Sequence, residues 1–141
     1  MNIAAPNSAR PRHIRVPAFL PVPLRARSDG WTPLRQAQFL VALARTRSVK
    51  KAAAAAGMTR ETAYRLRGRH GADSFAATWD AVLGKVAKRK VTPEERMRRA
   101  FDQLVKPVVN CGQCVGLARK ADNSALLSLL AQLDRGDRYT P

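Results

Sequence analysis

The sequence is poor in acidic residues. Its 141 residues include ten aspartates and glutamates against 26 lysines and arginines, so the formal net charge is +16. Such an excess excludes a strongly cationic partner. It indicates an anionic one, namely nucleic acid, an acidic membrane surface or an acidic protein.

Other features are also scarce. Two cysteines are too few for a disulfide scaffold. The chain has no run of about 18 apolar residues, so we expect no membrane span and no membrane partner. Prolines at positions 17, 21 and 23 interrupt the apolar stretch near the start, so we expect no secretory signal and a cytoplasmic protein.

A catalytic set is missing as well. The sequence has no glycine-rich phosphate loop, no pair of histidines at helical spacing and no nucleophile placed beside a base. We therefore do not expect an enzyme, and we expect no cofactor.

The positive charge is concentrated in one part of the chain. Residues 31–71 contain nine basic residues and a single acid, Glu61, so this stretch carries half of the net charge. A solvated surface does not need that concentration, whereas a surface that contacts phosphates does.

Within this basic part, residues 48–68 have the spacing of two short helices joined by a tight turn. Ser48 and Thr59 are N-cap residues, and Gly57 stands where the first helix must stop, since glycine adopts positive φ readily. The second helix spans 60–67, with Ala63 and Leu66 inward. The inward face of the first helix is formed by Val49, Ala52, Ala53 and Ala56.

This pattern resembles the homeodomain-like helix-turn-helix of bacterial regulators, site-specific recombinases and some phage terminase small subunits. The resemblance covers about residues 31–68, and Ala53, Gly57, Thr59 and the Thr-Ala-Tyr-Arg at 62–65 carry it. It implies that helix 60–67 enters the major groove of DNA. The alternative is a helical hairpin whose two helices only pack within the fold and do not contact DNA.

The resemblance gives the outward residues roles. Thr59 binds a phosphate at the helix N-terminus, and Arg60 and Arg65 read guanine edges. Glu61 either accepts a hydrogen bond from cytosine or orients Arg65. Tyr64 resembles the phosphate-contacting tyrosine of recombinase-type motifs.

Further basic residues are expected to contact the DNA backbone. Attraction independent of sequence comes from Lys50, Lys51, Arg67 and Arg69. Arg45 and Arg47, before the motif, either reach phosphates or are solvated. Arg25 and Arg27 precede the first helix as minor-groove arginines do in homeodomain arms; the alternative is a passive tail.

We predict a mainly α fold in three parts. Residues 1–30 form a disordered or extended basic, proline-rich arm, and residues 31–90 form the helix-turn-helix domain. Residues 91–141 form a module of a helix, a β-hairpin and a C-terminal helix. The first domain begins at the cap Thr32 with Pro33 after it, and its core comprises Leu34, Phe39, Leu40, Leu43, Phe75, Trp79, Val82 and Leu83.

In the C-terminal module, Thr92 and Glu95 predict a capping box at the start of a helix that runs to about Leu104. Its inward face comprises Met97, Ala100, Phe101 and Leu104. A hairpin follows around a turn at 110–113. Asp122 or Asn123 caps a last helix. The leucines of this helix, at 126, 127, 130 and 133, either form a dimer surface or close the core of the monomer, and we favour the second alternative.

Three smaller features have alternative interpretations. Cys111 and Cys114 have the spacing of half of a zinc ribbon. A structural zinc ion prefers four ligands, and the sequence has no second pair of cysteines. We therefore interpret them as two cysteines at a hairpin tip; the alternative is a zinc site shared by two subunits. His70 is interpreted as a surface histidine rather than a metal ligand. The basic cluster at 85–90 consists of Lys85, Lys88, Arg89 and Lys90. These cations either stabilise the negative end of a helix dipole or make a second phosphate contact.

We therefore expect a protein that binds double-stranded DNA as a dimer or higher oligomer, a bacterial or phage transcriptional regulator. The alternatives are a phage terminase small subunit, which packages DNA, and a non-specific nucleic-acid coating protein. Oligomer size separates the first two, and competition with random DNA tests the third.

Overall fold

The computed structural model describes residues 14–25, 27–85 and 89–137. In this part of the chain the structure is mainly helical, with one small antiparallel sheet, which confirms the coarse fold class. The elements in order are α1 (Pro33–Thr46), α2 (Val49–Ala55), α3 (Arg60–Arg67), α4 (Asp73–Val82), α5 (Pro93–Phe101), β1 (Leu104–Asn110), β2 (Gln113–Lys120) and α6 (Asn123–Asp137). None of these helices is long and apolar enough to span a bilayer.

The predicted helix starts are confirmed at Thr32, Ser48, Thr59 and Thr92. In each case the side-chain oxygen accepts a hydrogen bond from the backbone N–H three residues later. These bonds satisfy N–H groups that the first turn of a helix leaves without partners. At Thr59 the cap is reciprocal, because the Thr62 hydroxyl also accepts from the Thr59 N–H.

The core is built around α1. Phe39, Leu40 and Leu43 are fully buried there, as predicted, and Phe75 and Trp79 of α4 pack against them. The prediction for Leu34 is wrong, since its side chain is exposed. The other predicted members of the α4 face, Val82 and Leu83, are partly buried against the same core.

Residues 14–25 are extended, but they are not a disordered tail. Val16, Phe19, Leu20 and Val22 are buried in the core, and Phe19 exchanges two backbone hydrogen bonds with Val105 of β1, at 3.0 and 2.9 Å. Four buried apolar side chains give this segment the burial energy that a passive tail lacks. Residues 1–13 of the predicted arm, and Ala26, lie outside the described residues.

A buried glutamine holds this segment against α1. The Gln36 side chain accepts a hydrogen bond from the Val22 N–H at 2.8 Å and donates to the carbonyls of Val22 and Trp31, at 3.2 and 3.1 Å. Gln36 is fully buried, so the amide replaces partners that water would otherwise provide. One side chain thus fixes both ends of the stretch that carries Arg25 and Arg27.

The predicted apolar face of α5 is wrong. Met97 and Phe101 are 52% and 72% exposed, whereas Glu95 is 5% exposed. The helix ends at Phe101, and Leu104 is the first residue of β1. Contacts come from a polar side chain of α5 instead, because Arg98 donates hydrogen bonds to the carbonyls of Gly71 and Pro21.

Glu95 does not complete the predicted capping box. Its carboxylate binds Arg89 in a bidentate pair and Arg99 at 2.8 Å. Burial of this carboxyl opposes ionisation, but the hydrogen bonds and charges of the two arginines outweigh it, and the pKa of Glu95 lies below its usual value.

The β-hairpin is confirmed, with Cys111 and Gly112 as its two-residue turn. Both residues have positive φ, 52° and 76°, which suits the right-handed twist of the flanking strands. Val105 lies in the core, and Val109, Cys114 and Leu117 pack against it. The hairpin therefore shares the core of the N-terminal helices.

The last helix packs against α5. Asp122, not Asn123, caps it, accepting from the Ala125 N–H at 3.0 Å. Ala125 is buried, but the four leucines are exposed by 38% to 66%. The expectation that this stripe closes the monomer core is therefore wrong. The four exposed leucines of this stripe are Leu126, Leu127, Leu130 and Leu133.

Replacing Gln36 by leucine should release the N-terminal segment. The change leaves the Val22 N–H buried without an acceptor, which costs about 1–3 kcal/mol of unfolding free energy. The matched control is Gln38→Leu on the same helix, because Gln38 is half-buried and makes no side-chain hydrogen bond within the described ranges. Urea unfolding measures both variants. Equal stabilities would contradict the role given to Gln36.

Candidate nucleic-acid interface

The position of α3 follows from small residues and one glycine. Ala52 and Ala53 of α2 and Ala63 of α3 are fully buried, and such short side chains allow the two helices to pack closely. Gly57 has a φ of 73° and lets the chain reverse between them. One face of α3 is thereby buried and the opposite face is held outward.

The outward face of α3 carries the side chains that the sequence places there. Arg60, Glu61, Tyr64 and Arg65 are all exposed, and Thr59 is exposed at the helix N-terminus. Glu61 and Arg65 form no ion pair with each other, so the orienting role suggested for Glu61 has no contact in this structure. The guanidinium groups of Arg60 and Arg65 bind no carboxylate in the described part of the chain.

Tyr64 is a surface residue that contacts the core. Its ring lies 5.4 Å from the ring of Trp79, centroid to centroid, and the Arg60 guanidinium lies 5.7 Å above it. The side chain is still about half exposed. The packing on Trp79 fixes the position of the ring at the surface.

Arg67 has a structural role that the sequence did not reveal. Its guanidinium donates two hydrogen bonds to the Asp80 carboxylate, both at 3.0 Å, and lies 5.0 Å from the ring centroid of Trp79. These contacts join α3 to α4. Because Asp80 compensates its charge, Arg67 is not the free phosphate-attracting cation that was expected.

The basic residues before the motif differ in their contacts. Arg45 donates to the Gly112 carbonyl at 3.1 Å and so ties α1 to the hairpin turn. Arg47 ends α1 in the left-handed conformation, with a φ of 56°. Lys50 and Lys51 are exposed on α2. All four side chains are exposed, and only that of Arg45 has a hydrogen-bond partner within the described residues.

The structure brings together two groups of arginines that are about 40 residues apart in the sequence. A cleft of about 600 Å³ lies between the N-terminal segment and α3, and Arg25, Arg27, Arg65 and Arg69 line it. No pattern in the sequence links these groups. Their proximity depends on the hydrogen bonds that Gln36 makes to Val22 and Trp31.

The basic cluster at 85–90 is a poorer phosphate site. Arg89 binds Glu95, and Lys85 and Lys90 line a cleft of about 340 Å³ together with Asp73 and Asp80. Two carboxylates in the same cleft repel an anion. Lys88 lies outside the described residues.

Within the ranges that the structure describes, no three histidine, cysteine, aspartate or glutamate side chains are grouped as metal ligands would be. Cys111 is exposed at the turn, and Cys114 is half-buried. Burial raises the pKa of the Cys114 thiol, and the thiolate is the form that binds zinc. His70 is exposed, and its Nε2 lies 3.1 Å from Oε1 of Glu94.

No protein-family model, curated protein or solved structure matches this chain. The helix-turn-helix resemblance therefore stays a prediction, and it depends on the residues and geometry described above.

Replacing Gly57 by alanine should destabilise the protein by about 1 kcal/mol, because a left-handed conformation is unfavourable for a residue with a Cβ. A Cβ at this position would meet no atom within 4 Å, so the cost is conformational rather than steric. Gly68→Ala is the matched control, since Gly68 has a φ of −83°. Urea unfolding compares the two. If both variants are equally stable, the turn does not depend on positive φ.

Proposed function

We propose that the protein binds double-stranded DNA through a helix-turn-helix formed by α2 and α3, and that it acts as a transcriptional regulator of bacterial or phage type. In this proposal α3 lies in the major groove, which is wide enough for one helix. Thr59 and Tyr64 contact phosphates, and Arg60 and Arg65 contact base edges.

One observation carries the proposal. The exposed face of α3 presents Arg60 and Arg65 without carboxylate partners in the described part of the chain, while its opposite face is buried through Ala63 and Leu66. A short helix held in this way is a rigid support for base-reading side chains. Arginine suits the role because it can bond both major-groove acceptors of guanine.

The surrounding charges support the same partner. Lys50 and Lys51 on α2 and Arg69 after α3 are exposed and add positive potential near the helix. They would attract the DNA backbone without regard to sequence and make binding sensitive to salt. Arg67 and Arg45 are occupied by intramolecular contacts and are expected to contribute less.

A second copy of the chain is the partner that best fits α6. Leu126, Leu130 and Leu133 have the spacing of a helix seam, and all three are exposed. Residues 122–137 contain three acids and one basic residue in a chain of net charge +16. Two copies that meet at this helix therefore avoid the repulsion that two copies of the basic stretch 31–71 would experience. A dimer would present two copies of α3 to successive major grooves.

The same exposed stripe favours a second candidate. A terminase small subunit recognises viral DNA and assembles into rings, and such a ring also needs a self-association surface. The number of subunits distinguishes this alternative from a dimeric regulator.

Removing the Arg65 side chain should weaken binding to a preferred duplex by about 1–3 kcal/mol and relax sequence preference. The duplex is first selected from a random pool, and fluorescence anisotropy then compares it with random DNA. The control is Arg119→Ala, which removes the same charge from an exposed position on β2. Lys51→Ala should weaken all duplexes alike and lower the salt slope by about 1. If Arg65→Ala changes neither affinity nor preference, α3 is not the reading helix.

Light scattering should give a mass of twice the chain for the wild-type protein and the chain mass for Leu130→Gln, because a buried amide in the seam has no partner. The control is Val115→Gln, since Val115 is also an exposed aliphatic residue but lies on the hairpin. A mass of many chains would favour the ring-forming alternative. A monomeric wild-type protein would contradict self-association through α6.

A further inference from the structure

The cleft between the N-terminal segment and α3 has an unusual balance of charge. Its lining contains Arg25, Arg27, Arg65 and Arg69 and no carboxylate. None of the four guanidinium groups forms an ion pair in the described ranges. A concave site lined by one sign of charge concentrates the potential and attracts an ion of opposite sign.

The remaining lining residues are mostly apolar. Pro23, Leu24, Trp31 and Leu66 form part of the wall, and apolar walls strengthen the attraction between an arginine and an anion. Trp31 is mostly buried, and its indole N–H has no hydrogen-bond partner within the described residues. This N–H is closed to solvent, so only the guanidinium groups are assigned a role in binding an anion.

The cleft is also held in shape before any ligand arrives. Gln36 fixes the backbone of Val22 and Trp31, which flank the stretch with Arg25 and Arg27. Arg35 donates to the Gly30 carbonyl at 3.0 Å, and the Gly30 N–H donates to the Arg27 carbonyl at 3.2 Å. A loop fixed at this many points loses little conformational entropy on binding.

We infer that this cleft binds a phosphate-bearing group between the guanidinium groups of Arg25, Arg27, Arg65 and Arg69. Guanidinium pairs with phosphate through two parallel hydrogen bonds, which a simple anion such as chloride cannot accept in the same way. The volume of about 600 Å³ is within the range of small-ligand sites, so a phosphate with an attached sugar or base fits.

Two sources supply this chemistry, a free phosphorylated ligand and the backbone of DNA. In the second case the inference rests on the proposed function and adds the N-terminal segment to the DNA interface. In the first case it goes beyond that function. Because Arg65 belongs both to the cleft and to the outward face of α3, a free ligand in the cleft should then compete with DNA.

The test uses the full chain and two double variants that remove equal charge. Arg25→Gln with Arg27→Gln alters the cleft, and Lys106→Gln with Lys120→Gln alters exposed residues on the hairpin, outside both the cleft and the proposed DNA-binding surface. Calorimetry at low salt measures binding of inorganic pyrophosphate, and anisotropy measures binding of a duplex. Urea unfolding establishes that both variants are folded.

A free-ligand site predicts saturable 1:1 binding of pyrophosphate, a loss of about tenfold or more in the arginine variant and little change in the lysine variant. Pyrophosphate should then also displace the duplex. A DNA-backbone site predicts no saturable binding of pyrophosphate but a larger loss of duplex affinity in the arginine variant than in the lysine variant.

Equal effects of the two double variants on both probes would overturn the inference. Failure of the proposed function would give a different result. The wild-type protein would then bind no duplex at any salt concentration. The pyrophosphate titration would still show whether the cleft binds a phosphate group.

Discussion

A continuous set of aromatic contacts joins the N-terminal segment to α1, α3 and α4. Phe39 of α1 lies at its centre, with ring centroids 4.8 Å from Trp79 and 6.0 Å from Phe75 of α4. Phe75 in turn contacts Phe19 of the N-terminal segment, and Trp79 contacts Tyr64 on α3. Aromatic side chains bury large areas and prefer particular geometries, so these rings fix the relative positions of four elements.

This arrangement connects the core directly to the proposed interface. Trp79 contacts both the ring of Tyr64 and the guanidinium of Arg67. The outward face of α3 is therefore held by α4 as well as by the alanines of α2. A reading helix must keep its side chains in register with base edges, and this double support provides that rigidity.

The features that the sequence predicted correctly are local. The caps at Thr32, Ser48, Thr59 and Thr92 and the turn at Gly57 depend on hydrogen bonds or backbone angles within a few residues. Such interactions are determined by residue type and spacing, so they can be found without knowledge of the fold.

The features that the sequence did not predict depend on which polar groups meet once the chain has folded. Glu95 looked like a capping residue, but it is buried because Arg89 and Arg99 surround its carboxylate. The arginine cleft was missed because Gln36, fourteen residues after Val22, holds the N-terminal segment in place. Periodicity indicates which face is apolar, but it does not indicate which polar side chain will find a buried partner.

The contacts also separate the arginines into two groups with different roles. Arg45, Arg67, Arg89 and Arg98 bind carbonyls or carboxylates of the protein and stabilise the fold. Arg60 and Arg65 on α3 lack such partners and lie on the surface. The basic composition of the chain thus serves both stability and a proposed partner, and the residues with compensated charge contribute least to the latter.

The central claim is that the outward face of α3 reads guanine in the major groove, and methylation of guanine N7 by dimethyl sulfate tests it most directly. This atom lies in the major groove, whereas adenine N3 lies in the minor groove. On a duplex selected from a random pool, we expect the wild-type protein to protect guanine N7, and Arg65→Ala to lose protection at one guanine in each site. Binding that leaves every guanine N7 reactive, or that protects only adenine N3, would contradict the account.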